Sequence, residues 1–350
     1  VRGLVYAGPR HVSVTTVADP VVPGEHGAVV RVAAAGICGS DLHIYHGHGF
    51  SSDTGYCLGH EAVGEVVEVG GAVTSFGPGD RVLVPGSVGC STCAACRSGD
   101  VLRCSNLSFG ETISCYGLSH ALPGSQAEMV AVPHAETNLV PVPPQISDEA
   151  AVLLTDNAPT AWYGARRARI APGDTVAVIG LGPVGLMAVQ AAFVMGAARV
   201  VGVDRVPARL QRAAELGAEP VEADSAKADI RTATAGGTDV AIEAVGSDTT
   251  IALAISAVRQ GGRVSVVGVS HNKAFPLHMQ AMQLKELEFA IGLCSVQREL
   301  PTLVNLTAAG RLKPEAVVSH RLPLSQGVEA YRMVSERAAG VCKVILDPSR

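Results

Sequence analysis

The sequence predicts an α/β protein of two domains, one β-rich and irregular, the other a doubly wound parallel sheet. Three observations carry this. From residue 1 to about 148, apolar residues alternate in short runs separated by Pro-Gly and Gly-Asp turns. A fully apolar strand pattern, Thr-Val-Ala-Val-Ile at 175–179, runs directly into Gly180-Leu-Gly182-Pro-Val-Gly185 and an apolar helix pattern through Met195. Strand and helix signals then keep alternating to about residue 293, as a sheet covered by helices on both faces requires. At 350 residues the chain suits two domains, with ample interior for a core.

Composition narrows the function classes. Hydrophobic residues at 47% against 17% charged describe a folded chain without disordered tracts. A net charge of -5 with no basic stretch argues against nucleic acid as a partner. The most apolar run, 176–203, is interrupted by Gly180, Gly182, Gly185 and Gly196, which argues against a membrane span. The opening Val-Arg-Gly-Leu leads into strand-like alternation without an apolar signal region, so the expected compartment is the cytosol. Nine cysteines, four of them within fifteen residues at metal-ligand spacing, fit a reducing compartment better than a disulfide framework.

Taken in order, the runs at 28–33 and 63–69 read as strands of the first domain, and between them lies the stretch the chain is organised around. It begins Gly-Ile-Cys-Gly-Ser-Asp-Leu-His at 36–43 and closes with Gly-His-Glu at 59–61. Cys38 as a thiolate and His60 through a neutral ring nitrogen supply two ligands of a catalytic zinc, which needs three and one open position. Ser40 and His43 put a hydroxyl and an imidazole near any oxygen bound there, a proton exit. Asp41 and Glu61 are placed to accept the second ring N–H of His60 or to approach the metal.

The turn Gly-Pro-Gly-Asp at 77–80 leads through a strand at 81–84 to Cys90, Cys93, Cys96 and Cys104, a C-x2-C-x2-C-x7-C pattern. Four thiolates can enclose one zinc tetrahedrally and leave no open position, so this site is structural and closes a lobe, about 86–108, too poor in apolar residues to pack itself. Cys57, Cys115, Cys294 and Cys342 lack partners at ligand spacing and read as small buried apolar residues. Pro-Val-Pro-Pro at 141–144 marks a boundary, and Ser147 reads as the N-cap of a helix.

In the glycine fingerprint, Gly180 makes the tight turn, Gly182 lets backbone N–H groups approach a pyrophosphate, and Gly185 permits close helix–strand packing. The next strand, 199–203, ends in Asp204, nineteen residues beyond Gly185, where a carboxylate can accept both hydroxyls of an adenosine ribose. Further strands are expected at 239–245, 262–269 and 288–292, with helices near 208–216 and 248–258 between them. Helices at 299–309 and 325–336 and a last strand at 343–346 are expected to return to the first domain.

These motifs, in this order and spacing, resemble the zinc-containing medium-chain alcohol dehydrogenases over essentially the whole chain. The resemblance implies a GroES-like catalytic domain from residues 1–155 and 294–350 around a Rossmann NAD-binding domain at 156–293, with the active site in the cleft between them. It implies that Cys38, His60 and Asp156 hold the catalytic zinc, Asp156 standing where many relatives have cysteine and Glu149 being the competing third ligand. Ser40 would take the alcohol proton, His43 would pass it on, and Glu61 would sit behind the metal. Thr160, Pro183, Val184, Val269 and Lys343 fall at cofactor-contact positions alongside the glycines and Asp204, and Arg209 beside the ribose. Gly39 replaces a basic residue that reaches the pyrophosphate in some members. The implied activity is reversible oxidation of a primary or secondary alcohol to an aldehyde or ketone with NAD and two zincs per chain, by a cytoplasmic homotetramer or homodimer. A polyol, a threonine-like amino alcohol or formaldehyde and other aldehydes are alternative substrates on the same machinery. Phe50, Phe109, Tyr116 and Trp162 lie in segments that could line the cleft.

Overall fold

A computed structural model describes residues 1–107, 114–270, 272 and 274–350. Phe109 lies outside the described residues, as does the final residue of the 86–108 lobe. The chain divides into two compact units, Val1–Pro159 with Ser295–Arg350, and Thr160–Cys294. The boundary expected after residue 155 therefore falls after Pro159. The reason is local: the side chains of Asp156 and Asn157 bond to Cys38 and Glu61, and these contacts hold the segment to the first unit.

The first unit is built on the strand Ala28–Gly36, whose residues are mostly buried Val and Ala. It pairs along its length with Ala62–Val69, at one end with Met129–Val132 and at the other with Lys343–Asp347. The full order runs Val318–Pro323, Lys343–Asp347, Ala28–Gly36, Ala62–Val69, Arg81–Val84, Val140–Pro141. Arg2–Gly8, His11–Thr16 and Tyr56–Cys57 form a separate three-stranded sheet. The C-terminal strand is apolar and wholly buried at Val344, Ile345 and Leu346, so it must find a sheet to enter, and it enters this one beside Ala35 and Gly36. Helix Asp148–Leu154 starts where expected, with Ser147 Oγ accepting from the Ala150 amide at 3.2 Å.

The second unit carries a six-stranded, wholly parallel sheet: Glu219–Glu222, Arg199–Asp204, Thr175–Ile179, Thr238–Glu243, Val258–Val266, Glu288–Ile291. Its central strands bury Val, Ile and Ala on both faces, which is why they read as continuous apolar runs. Helix Ala226–Ala233 and edge strand Glu219–Glu222 were not anticipated. Each carries too few buried apolar residues to give a periodic signal. Among the described residues no helix is long and apolar enough to cross a membrane.

In the first unit, Glu136 ties the short helix Ala135–Asn138 to a neighbouring loop, accepting from the Thr74 amide at 2.7 Å and the Ser75 amide at 2.9 Å. Hydrogen bonds from Ser75 and Thr74 hold its carboxyl down to about 2. A depressed carboxylate stabilises the fold above its unfolded value and loses that contribution as pH falls through the folded one. Glu136→Gln should therefore be less stable than the parent at pH 7, and the gap should close between about pH 4.5 and pH 2. Denaturation midpoints of both proteins across that range would check this.

Candidate active site and metal centres

Three segments of the first unit each deliver one donor. Cys38 follows the strand Ala28–Gly36 and caps helix Gly39–Tyr45 in an extended conformation, and Asp41 in that helix's first turn accepts the Cys38 amide at 2.9 Å. His60 immediately precedes Glu61 and the strand Ala62–Val69. Asp156 sits between the helices Asp148–Leu154 and Asn157–Arg167. Cys38 Sγ lies 3.2 Å from Asp156 Oδ2, and His60 Nε2 lies 3.6 Å from the same oxygen. Donors around a tetrahedral zinc stand about 3.3–3.8 Å apart, so the sulfur, nitrogen and oxygen set fits that ion. Cys38 and His60 are buried, whereas the Asp156 side chain is 21% exposed and marks the open side.

Charge is concentrated here. Glu61, wholly buried, belongs to the same group of donor atoms. Its Oε1 accepts from Asn157 Nδ2 at 2.8 Å, and its Oε2 from the buried ammonium of Lys343, which also donates to the Ile37 carbonyl at 3.0 Å. Asp41 Oδ1 lies 3.1 Å from His60 Nδ1, at ion-pair distance although poorly aligned for a hydrogen bond. Nε2 is thereby the nitrogen facing Cys38 and Asp156. Burial, then the charges of Asp156 and Glu61, push the Cys38 thiol up. Burial alone would lower the His60 imidazole, but Asp41 and Asp156 outweigh it and hold the ring well above its ordinary value. Burial would raise Asp156, yet bonding to His60 keeps it well below the usual carboxylate range. A divalent cation bound by these residues would release the protons of Cys38 and His60, which makes its affinity fall with falling pH.

Ser40 Oγ stands 3.1 Å from His60 Nε2, beside the three donors. His43 follows three residues later on the same helix, hence on the same face. Glu149, the competing third ligand, is paired instead with Arg321 and lies outside the donor group. Lys343, expected at the cofactor, belongs to the first unit and is committed to Glu61 and Ile37. Asn157 was not anticipated. Its Nδ2 reaches Asp156 Oδ2 at 3.1 Å as well as Glu61, and Cys38 Sγ at 3.7 Å, so one amide braces three members of the group. A polar residue directly beside a predicted ligand was the available signal.

The four clustered cysteines also converge. Cys90 and Cys96 sulfurs are 4.0 Å apart, and the Cys93 and Cys96 amides each donate to the preceding cysteine sulfur at 3.4 Å. The amides of Cys96 and Ser105 lower Cys93 to about 5, and Cys90 falls to about 7 although burial opposes it, chiefly through Thr92 and the Cys93 amide. Burial and the neighbouring Cys93 push Cys96 up to about 12. This is a nest built for thiolates and for a cation that would take up their shared charge. None of the nine cysteines, all among the described residues, is in a disulfide; Cys57, Cys294 and Cys342 are buried and Cys115 is half-buried. Tyr116 is wholly buried in the core of the first unit, and Phe50 is 37% exposed.

In the second unit the fingerprint folds as its glycines require. Gly180 has φ +90°, and a Cβ on Gly185 would stand 1.7 Å from the Gly180 carbonyl oxygen. Gly182 caps helix Pro183–Val194, with Pro183 at its first position and Val184 next. Asp204 ends its strand with Oδ2 accepting the Leu181 amide at 2.7 Å and Oδ1 accepting the Arg205 and Val206 amides at 2.7 and 2.9 Å. It is thus a strut of the glycine turn, with Arg209 Nη1 at 3.7 Å from Oδ2. Val269 follows the strand Val258–Val266 and packs its carbonyl against Gly246. Thr160 opens this unit and Trp162 lies two residues further along helix Asn157–Arg167.

A donor set of this kind in a β-rich unit, with a dinucleotide fingerprint in a parallel sheet, is the pattern of a zinc-dependent dehydrogenase. The family model described as zinc-binding dehydrogenase matches residues 183–309, and the alcohol dehydrogenase GroES-like domain matches residues 24–144. The chain belongs to the zinc-containing medium-chain alcohol dehydrogenase family, with a GroES-like and a Rossmann domain. A probable zinc-binding alcohol dehydrogenase of Mycobacterium tuberculosis is 42% identical over 99% of this chain and 88% of its own length. The solved alcohol dehydrogenase of Thermus sp. ATN1 is 40% identical, with a TM-score of 0.92 over 99% of both chains. Two further solved relatives contain a dinucleotide, each aligned over 99% of this chain. One from E. coli is complexed with NADH (25% identical, TM-score 0.87, 98% of that chain), and a putative zinc-binding dehydrogenase of Sinorhizobium meliloti is bound to NADP (28%, 0.86, 99%).

The two flanking glycines should behave differently when substituted. Gly185→Ala forces the helix from its strand and should cost about 1–3 kcal/mol. An added Cβ at Gly182 meets nothing within 4 Å, so Gly182→Ala should cost only what a poorer N-cap residue costs, about 1 kcal/mol or less. Chemical denaturation of both variants measures the difference.

Proposed function

We propose that this chain is an NAD-dependent alcohol dehydrogenase that reversibly oxidises a primary or secondary alcohol to an aldehyde or ketone. The observation that carries the reading is the convergence of Cys38 Sγ, His60 Nε2 and Asp156 Oδ2 with the Ser40 hydroxyl 3.1 Å from that same nitrogen. Zinc on these three ligands would supply Lewis acidity to a substrate oxygen, and the nicotinamide would accept the hydride. The chain's own residues do the rest. Ser40 takes the hydroxyl proton and His43, on the same helix face, passes it to solvent. Glu61, fixed by Lys343 and Asn157, sets the charge behind the ligands. Cys90, Cys93, Cys96 and Cys104 hold a second, structural zinc.

On the cofactor side, Gly180, Gly182 and Pro183 shape the turn into helix Pro183–Val194, whose N-terminus presents the amides of Val184 and Gly185 to the pyrophosphate. Asp204 keeps lone pairs for the ribose hydroxyls, while Thr160, Arg209 and Val269 complete the contacts. A 2′-phosphate would bring about two negative charges against that carboxylate, which favours NAD. Assembly as a homotetramer or homodimer is supported by the edge strand Glu288–Ile291, whose Ile291 is exposed together with nearby Leu293. A cytoplasmic setting suits cysteines that form no disulfide.

Three measurements test this. A panel of alcohols, polyols, threonine and aldehydes with NAD and NADP, followed by NADH absorbance, should give turnover with at least one simple alcohol. Absence of any turnover would remove the enzyme reading, and turnover confined to polyols or threonine would reassign the substrate. Asp156→Ala should abolish that turnover and lower zinc from two per chain to one. Asp204→Asn keeps an oxygen for the Arg205 and Val206 amides yet drops the charge, and should raise the kcat/KM ratio of NADP to NAD by about tenfold or more. An unchanged ratio would show that Asp204 does not set the choice.

A further inference from the structure

His60 is reached from a helix near the far end of the chain. Tyr331, on helix Gly327–Ser335, is wholly buried, and its hydroxyl donates to Gln126 Oε1 at 2.9 Å. Gln126 is also wholly buried, and its Nε2 donates both to the Gly36 carbonyl at 2.9 Å and to Asp41 Oδ2 at 3.2 Å. With the Cys38 amide also on Oδ2, that oxygen is committed, and Oδ1 remains for His60 Nδ1.

The same residue grips the other ligand segment through its main chain. Its amide donates to the Leu58 carbonyl at 2.9 Å, and the adjoining Ser125 amide donates to the Gly59 carbonyl at 2.9 Å. Gly59 has φ +94°, and a Cβ there would lie 2.4 Å from Gln126 Cγ, so the side chain lies directly against the turn that presents His60. Gln126 therefore bonds the Cys38 segment with its side chain and the His60 segment with its backbone.

We propose that Gln126, anchored by Tyr331, is a positioning residue that sets the spacing of Cys38 and His60 and aims His60 Nε2 at the metal through Asp41. The inference rests on the reading that Cys38, His60 and Asp156 hold a catalytic zinc. A methionine at 126 would fill the same space but could neither brace Asp41 nor accept from Tyr331. Outer partners of this kind change metal affinity by about 10- to 100-fold.

The test uses the two-zinc protein and a chromophoric chelator. Gln126→Met should release one zinc about 10- to 100-fold faster than the parent, with the four-thiolate zinc unchanged. Tyr331→Phe should act in the same direction and more weakly. The double variant should be no worse than Gln126→Met alone, since both act through one chain of bonds. With cobalt in the Cys38 site, both variants should shift its visible absorption bands, which loss of packing elsewhere would not do. Unchanged release in both variants, equal acceleration of both zincs, or additive effects would each overturn the proposal. If Gln126→Met does not fold, Tyr331→Phe decides alone: unchanged release and cobalt bands overturn it. A parent with zinc only on its four clustered thiolates would overturn the functional reading itself, and this inference with it.

Discussion

The wholly buried pair of Glu61 and Lys343 is the interaction on which the rest of the first unit depends. A carboxylate and an ammonium removed from water are tolerable only when their remaining hydrogen bonds are met, and removing one partner costs about 3–5 kcal/mol. Here Asn157 and the Ile37 carbonyl meet them. Three of the four residues of this knot adjoin a donor: Glu61 follows His60, Asn157 follows Asp156, and Ile37 precedes Cys38. The electrostatics that stabilise the interior and the geometry that gathers the donors are one arrangement.

This explains why the unit is assembled from both ends of the sequence. Lys343 opens the final strand, and its ammonium reaches Glu61 because that strand pairs beside Ala35 and Gly36. The preceding helix brings Tyr331 to Gln126 in the same interior. The C-terminal segment thus supplies a counter-charge and a brace to donors carried far earlier in the chain.

Much of this was readable in advance because it is local. Cys38, Ser40, His43, His60 and Glu61 lie close in sequence, and spacing alone announces metal-binding types. The glycine fingerprint is legible since φ +90° at Gly180 and the close approach at Gly185 demand glycine. What escaped is polar and long-range. Gln126 stands in an unremarkable Gly-Ser-Gln-Ala stretch, and its partners Gly36, Asp41 and Tyr331 are brought to it only by the fold. Lys343 carried a signal, a charge inside the apolar run Val-Cys-Lys-Val-Ile-Leu at 341–346, but the run does not say which carboxylate answers it. The edge strand Glu219–Glu222 escaped for another reason, being too polar to show a period.

Asp204 has a consequence of a different kind. Because its carboxylate closes the turn at Leu181 and also starts the next loop at Arg205 and Val206, the position is constrained by folding before any ligand arrives. A lineage could not exchange Asp204 for a small apolar residue without opening three amides at once. The accessible path would first acquire another acceptor for the Leu181 amide, or would leave Asp204 untouched and remodel the arginines beside it. This strand end is thus slow to evolve for a mechanical reason.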